Sequence, residues 1–424
     1  MLRNLVIAVV LLVLAVALVG VTFGAGVGAS RLVFQPRADQ VNDGAPADFR
    51  SSMAVFWEAW NIVNKEFYKQ PLDPTKMTYG AIAGMVDALG DPHTAFVDPT
   101  QAKIINQDLQ GSFEGIGATV QMNQGRLTVV APIKGSPAER AGVKAGDVIL
   151  KVDDTAIVNM TVDQAIALIR GPKGSTVHLQ IQRGTQPVMT INIVRDTIPV
   201  NYVDARMLDN NIAYLKLSEF SATAPDELHK DLQDLMAQKP KALILDLRNN
   251  PGGYLDAAVK IAGEFLPSGS VVLIEKDKNG NQQEYRTDAQ GLAADPGLKM
   301  VLLVNEDSAS ASEILSGALK DYKRATIIGT NTYGKGSVQT PHTLSDQSQL
   351  RVTIAHFFSP QNHEINGVGV KPDIEVADPT AAQLAQNQDP QLDRAVQFLS
   401  NTAQLEFGWL LQPLLVPAWA ELPL

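Results

Sequence analysis

A chain of 424 residues is too long for one ordinary hydrophobic core, and two or three domains plus a targeting segment fit that length. The composition, 45% hydrophobic and 19% charged, is globular, and a net charge of -10 offers no overall attraction to a nucleic-acid backbone. Cysteine is absent, which removes disulfide frameworks, thiolate nucleophiles and thiolate metal sites together.

Arg3 precedes an apolar run from Leu5 to Val21 that continues through small residues to Gly28. About 20 apolar residues at helical rise span a hydrocarbon core. Residues 1–30 therefore read as a signal anchor, with a cleaved signal peptide as the alternative, because Ala25 to Ser30 only loosely supplies a cleavage site. Either reading puts the body outside the cytoplasm, membrane-bound or secreted. Residues 48–110 read as a helical segment. Phe56, Trp60, Val63 and Phe67 recur at three- and four-residue spacing and are expected to pack. Pro71, Asp73 and Pro74 interrupt the pattern, and a second amphipathic stretch runs from Tyr79 to Leu89 until Gly90-Asp91-Pro92 ends it.

Residues 111–198 change to short β-like runs, Thr128 to Ala131, Val148 to Val152 and Val177 to Ile181, separated by Gly, Pro and Asp turns. Val162, Ala165, Ile166 and Ile169 give one amphipathic helix among them, whose apolar face suits a groove. Residues 199–380 alternate strand and helix, an α/β core. Ala242 to Leu247 and Val301 to Val304 are nearly continuous in apolar residues, as central strands covered on both faces are, and loops at their C-terminal ends are where function is expected. Residues 381–424 end in a Leu-, Trp- and Pro-rich tail from Leu405. Pro413 and Pro417 forbid one spanning helix there, so packing on the body, a membrane surface and the peptide groove stay open as its place.

After the run ending at Val304 comes Ser308-Ala309-Ser310-Ala311-Ser312-Glu313-Ile314, opening a helix. Ser310 and Glu313 fit a capping box, which needs no catalysis to explain it. The same position also exposes a hydroxyl to unpaired backbone N–H groups and the positive end of a helix dipole, which stabilise an alkoxide or oxyanion. Tyr333-Gly334-Lys335-Gly336-Ser337-Val338-Gln339 follows another strand-like run. Lys335 reads as a solvated turn residue, or as a general base if burial between glycines lowers its pKa, with Gln339 able to orient the amine. Asp246-Leu247-Arg248-Asn249-Asn250-Pro251-Gly252-Gly253 is a sharp turn whose glycine amides would suit an oxyanion hole.

Together these segments resemble the carboxy-terminal processing (tail-specific) serine protease family. The likeness runs from Phe56-Trp57-Glu58-Ala59-Trp60, through Ala88-Leu89-Gly90-Asp91-Pro92-His93-Thr94, to Gly369-Val370-Lys371-Pro372-Asp373-Ile374, and leaves out the C-terminal tail. The resemblance implies an α/β protease core, ClpP/crotonase-like, with an inserted β-rich PDZ domain. It implies Ser310 as nucleophile, Lys335 as base, Gln339 as its orienting partner, and the amides of Gly252 or Gly253 and of Ala311 as oxyanion hole. Spacing alone does not choose among the three serines.

Gly115-Ile116-Gly117-Ala118 resembles the carboxylate-binding loop of a PDZ domain and is followed by Gly135-Ser136-Pro137-Ala138 and Ala141-Gly142-Val143-Lys144-Ala145-Gly146-Asp147. Such a loop captures a terminal carboxylate while the peptide adds a strand and its last side chain enters an apolar pocket, here expected to include Ile166. Free apolar C-termini are the implied ligands. Arg170 closes the groove helix; its counterpart in relatives couples the PDZ position to the active site, and a structural ion pair is the competing reading.

No cofactor or metal is called for, since no H-E-x-x-H is present. A Ser-His-Asp hydrolase is disfavoured because the six histidines fall in no local motif and no G-x-S-x-G occurs. A catalytically inactive PDZ scaffold is the rival from another class, and intact Ser310, Lys335 and Gln339 argue against it. Beside peptide substrates, a second copy of the chain in a homo-oligomer or an adaptor protein stays open as a partner.

Overall fold

The computed structural model describes residues 47–123 and 125–408; the apolar segment read as an anchor and the tail beyond Gly408 lie outside the described residues. Among the described residues no helix is long and apolar enough to cross a membrane. The chain divides into two compact units, residues 1–77 and 78–424. In the first, the helix Ala47–Glu66 stacks the rings of Phe56, Trp57 and Trp60 on one another, with centroids 5.2, 5.9 and 6.1 Å apart. The packing expected of this face stops there, for Val63 and Phe67 are exposed. Within the described part of the unit no second layer covers the stripe, and an amphipathic helix buries its face only against another element.

The second unit is built on a six-stranded sheet in the order Val203–Leu208, Ile212–Leu217, Ala242–Asp246, Lys299–Val304, Thr326–Gly329, Ile374–Glu375. The first pair is an antiparallel hairpin and the later pairings are parallel. The two apolar runs read as central strands sit in the middle, and the two-residue period sends alternate side chains to separate cores. Leu243, Leu245, Leu302 and Val304 join one, while Ala242, Ile244, Val301 and Leu303 join the other. Helices Ala224–Ala237, Leu255–Gly263 and Ala311–Asp321 fill the first face.

The helix Pro390–Gly408 closes the opposite face through Ala395 and Leu399. So part of the C-terminal segment that the motifs leave silent is core. Its start is clamped by Arg248, which donates to Asp246 at 2.6 Å, Asp389 at 2.8 Å and Gln391 at 3.0 Å. The arginine of the Asp-Leu-Arg motif thus ties two distant stretches of chain beneath the sheet rather than facing substrate.

A second sheet runs Ala95–Val97, Gln349–Phe358, Val271–Asp277, Gln282–Arg286, with Ser337–Thr343 also paired to Gln349–Phe358. Residues 95–97 correct the wholly helical reading of 48–110: they pair with residues 349–351. Three residues are too few for a period to register. Inserted after residues 95–97 in sequence lies a β-domain of strands Ala118–Asn123, Arg126–Pro132, Val148–Val152, Thr176–Gln182 and Met189–Val194, with Thr155–Ala156 also paired to Val148–Val152. Helix Val162–Ile169 starts on a Thr161–Gln164 capping box. The flanking strands Ser112–Gly115 and Asp196–Pro199 pair with each other, which holds the entry and exit of this inserted segment side by side.

Candidate active site

Strand Lys299–Val304 delivers the chain through a short loop into helix Ala311–Asp321, and the three serines on the way have different surroundings. Ser308 is buried and donates to the Leu247 carbonyl at 2.8 Å; Ser312 is buried and donates to the Asn250 carbonyl at 2.9 Å. Ser310 alone of the three lines an open cleft of about 690 Å³. Burial makes the choice that spacing does not. Ser310 also sits at φ 55°, ψ −113°, which for a residue with a side chain costs roughly 1–3 kcal/mol and persists only where the surroundings enforce it. The sequence lacks G-x-S-x-G, yet strand, strained turn and helix together form an elbow that presents a hydroxyl.

Glu313 is what enforces it. Fully buried, its carboxylate accepts from the Ser310 N–H at 2.9 Å and the Lys335 N–H at 2.9 Å, and from the Gly334 N–H at 2.7 Å and the Thr332 hydroxyl at 2.6 Å. Burial pushes its pKa up while those four donors pull it down. The residue that the sequence marks only as a helix cap therefore ties the serine loop to the lysine loop.

Lys335 lines the same cleft as Ser310. Burial, and after it the charge of Arg351, lower its pKa below the usual lysine value, against the opposing pull of Glu313 and Asp91. No ion pair or hydrogen bond holds its side chain among the described residues. The neighbouring glycine is a steric necessity: a Cβ on Gly336 would lie 2.3 Å from the Asn366 nitrogen. Gln339 lines the cleft too, and one N–H of its side-chain amide donates to the His93 carbonyl, while Oε1 has no protein donor among the described residues.

The two glycines of the sharp turn are not equivalent. The Gly252 N–H donates to Asn250 Oδ1 at 2.9 Å, so it is not available to an oxyanion, which corrects its inclusion with Gly253. The Gly253 and Ala311 N–H groups have no protein acceptor among the described residues. Gly253 must be glycine, for at φ 138° a Cβ would meet the Phe220 carbonyl oxygen at 2.3 Å. Asn250 braces the whole turn: its Nδ2 donates to the Leu217 carbonyl at 2.8 Å and its carbonyl accepts from the Ala309 N–H at 3.0 Å.

His93 and Asp91, quoted above only within a motif, also belong here. Asp91 accepts from the Thr94 hydroxyl at 2.6 Å and from the His93 and Thr94 N–H groups at 3.0 and 3.1 Å; against burial, which raises its pKa, the Thr353 and Thr94 side chains and then these backbone groups hold it well below the usual carboxylate range. His93 lies against Tyr333, centroids 6.4 Å apart, and burial and the Lys335 charge lower its pKa.

In the β-domain, Gly115 ends its strand and Ile116 is buried. The Ile116 carbonyl accepts from the Ala138 N–H at 2.8 Å and the Gly117 carbonyl from the Ser136 hydroxyl at 2.7 Å. Independently of these, the Ile116 and Gly117 N–H groups have no protein acceptor among the described residues. Ala118 opens the next strand, against which the helix carrying half-buried Ile166 packs. Arg170 makes the ion pair, 2.9 Å to Asp108, and lies 4.2 Å over the Phe113 ring. Asp108 belongs to helix Pro99–Leu109, whose Ile105, Asn106 and Leu109 line the cleft.

A strained serine and an under-basic lysine in one cleft, beside a β-domain with an open amide loop, define a serine peptidase with a peptide-binding module. Residues 211–376 match Peptidase family S41 and residues 128–183 match the PDZ domain. The chain belongs to the carboxy-terminal processing serine peptidases of that family. It is 37% identical over 327 residues to the carboxy-terminal processing protease CtpA of Bacillus subtilis, an alignment covering 77% of this chain and 69% of that one. A protein named as a CtpA-like serine protease from Staphylococcus haemolyticus is 36% identical over 373 residues, 87% of this chain and 72% of its own. Among solved structures, an S41 protease from Bacteroides fragilis shares the fold with a TM-score of 0.51 at 18% identity, covering 81% of this chain and 96% of that one.

Proposed function

We propose that this peptidase cuts with a Ser310–Lys335 dyad and selects substrates by their free apolar C-termini, captured at the Gly115–Ala118 loop with Ile166 lining the side-chain pocket. The observation that carries the reading is one cleft holding a hydroxyl on a strained turn and an amine made less basic by burial. Neutral Lys335 takes the Ser310 proton, and the oxygen attacks the peptide carbonyl. The Gly253 and Ala311 amides receive the oxyanion, a contribution of about 10²–10³ per donor in rate. The C–N bond then breaks, the amine departs with the proton held by Lys335, and water, deprotonated by the same lysine, hydrolyses the acyl-serine. Gln339, pinned by His93, supports the lysine through Oε1 without supplying charge.

Residues 1–30 tether the enzyme to a membrane with its catalytic body outside the cytoplasm. Helix Pro99–Leu109, joined to Arg170 at one residue and to the cleft at others, gives PDZ occupancy a route to the active site.

The test is cleavage of one unstructured peptide, its apolar C-terminus free or amidated, by the full chain and by Ser310→Ala and Lys335→Ala. Cutting that requires both residues and prefers the free carboxylate supports the reading. Cutting that survives Lys335→Ala removes the dyad, and indifference to amidation removes the PDZ selection.

A further inference from the structure

The cleft contains a cation with no partner among the described residues. Arg351 lies on strand Gln349–Phe358, in register with Pro341 on one side and Ala95 on the other, so its backbone is fixed along both edges. Its side chain lines the cleft shared by Ser310 and Lys335. The Nε atom is buried without a hydrogen-bond partner, and no carboxylate among the described residues pairs with the guanidinium. Burial lowers its pKa, opposed by the Tyr254 hydroxyl.

A half-buried cation whose Nε is shut off from water and left without an acceptor is costly, and proteins normally avoid it. This chain does so elsewhere. Arg324 donates to the carbonyls of Phe265, Leu298 and Ala293 at 3.1, 3.0 and 2.7 Å. Arg195 donates to the carbonyls of Ile169 and Leu168 at 2.8 and 3.0 Å, and Arg248 is saturated by carboxylates. Arg351 differs from them in facing the catalytic cleft. Glu219 and Asp256 also line that cleft, and neither pairs with it.

We propose that Arg351 is a substrate-recognition residue that binds a peptide carboxylate beside the scissile bond. A planar guanidinium takes a carboxylate through two parallel hydrogen bonds, and a half-buried one does so with less screening by water. The carboxylate is either an acidic side chain of the substrate or the chain terminus, when the bond cut lies within a few residues of the end. The inference rests on the dyad reading and adds a preference to it: this subsite selects charge, whereas the PDZ loop selects an apolar C-terminus.

The experiment uses quenched peptides of one sequence in which each position around the scissile bond in turn carries Glu or Gln. They are cut by the full chain and by its Arg351→Gln and Arg351→Lys variants. At one position the parent should cut the Glu peptide with kcat/KM about tenfold or more above its Gln twin. Arg351→Gln should level the twins, and Arg351→Lys should keep part of the preference. A preference found only for free over amidated ends in peptides that stop near the cut, levelled by Arg351→Gln and kept by Ile166→Ala, assigns the terminal carboxylate as the ligand of Arg351, and one that Arg351→Gln leaves intact belongs to the PDZ loop and overturns the inference. A parent that cuts all acid and amide twins equally overturns the inference without any variant, as does an Arg351→Gln enzyme that keeps the preference. Cutting that survives Ser310→Ala overturns the dyad reading and this one together. Ser310-dependent cutting with level twins overturns this one alone.

Discussion

The catalytic cleft and the PDZ loop divide labour between side chain and backbone in opposite ways. In the cleft, Ser310, Lys335 and Arg351 present side chains, while Glu313, Asn250 and close-fitting glycines hold the backbone beneath them. In the loop Gly115–Ala118 the side chain of Ile116 is core and the carbonyls are already taken, so the amides are what remains for a ligand. On the proposed mechanism, one substitution in the cleft therefore deletes a reacting group. One substitution in the loop or its pocket only adjusts a surface, and its effects should be graded.

The largest effect expected is from Ser310→Ala, a loss of about 10⁴-fold or more in kcat, with the affinity for a C-terminal peptide unchanged by calorimetry. A fall in both would break the division between the regions. Gly336→Ala comes next. A methyl group 2.3 Å from the Asn366 nitrogen must displace the lysine loop, and a displacement of about 1 Å costs roughly 10²-fold in rate. Parent-like turnover would show that the loop position is not critical. Glu313→Ala strips two buried and two part-buried donors of their acceptor and should lower the unfolding free energy in urea by about 3 kcal/mol. An unchanged midpoint would mean that the two loops hold themselves.

The smallest effect belongs to the PDZ side. Ile166→Ala should weaken binding of a free apolar C-terminus by about tenfold or less, since Ile166 is half-buried already. Cleavage of the amidated peptide should not change, and a change there would sharpen the comparison by showing that the module acts on the cleft even when empty.

Much of this arrangement was legible in the sequence because the physics was local. Ala242 to Leu247 and Val301 to Val304 read as central strands because sheet burial on both faces leaves no polar period. Gly334-Lys335-Gly336 reads as a tight turn because glycine marks close backbone approach, and Asn366 is that approach. What stayed hidden depended on partners distant in sequence. Ser310 separates from Ser308 and Ser312 only when Leu247 and Asn250 arrive to take their hydroxyls. Gly252 loses its amide to Asn250, a pairing no spacing rule encodes. Arg351 sits in an ordinary strand with no motif around it, and helix Pro390–Gly408 is identified as core by the sheet it covers.

The central claim is that a neutral Lys335 activates Ser310, and the pH dependence of kcat/KM on an uncharged peptide tests it most directly. A protonated amine cannot accept the serine proton. Activity should therefore be low in acid and rise through one ionisation lying below the usual lysine value of about 10.4. In Arg351→Gln that rise should move to higher pH, because the positive neighbour that helps to lower the lysine pKa is gone. A profile flat from about pH 5 to 9, the same in both enzymes, would contradict the account.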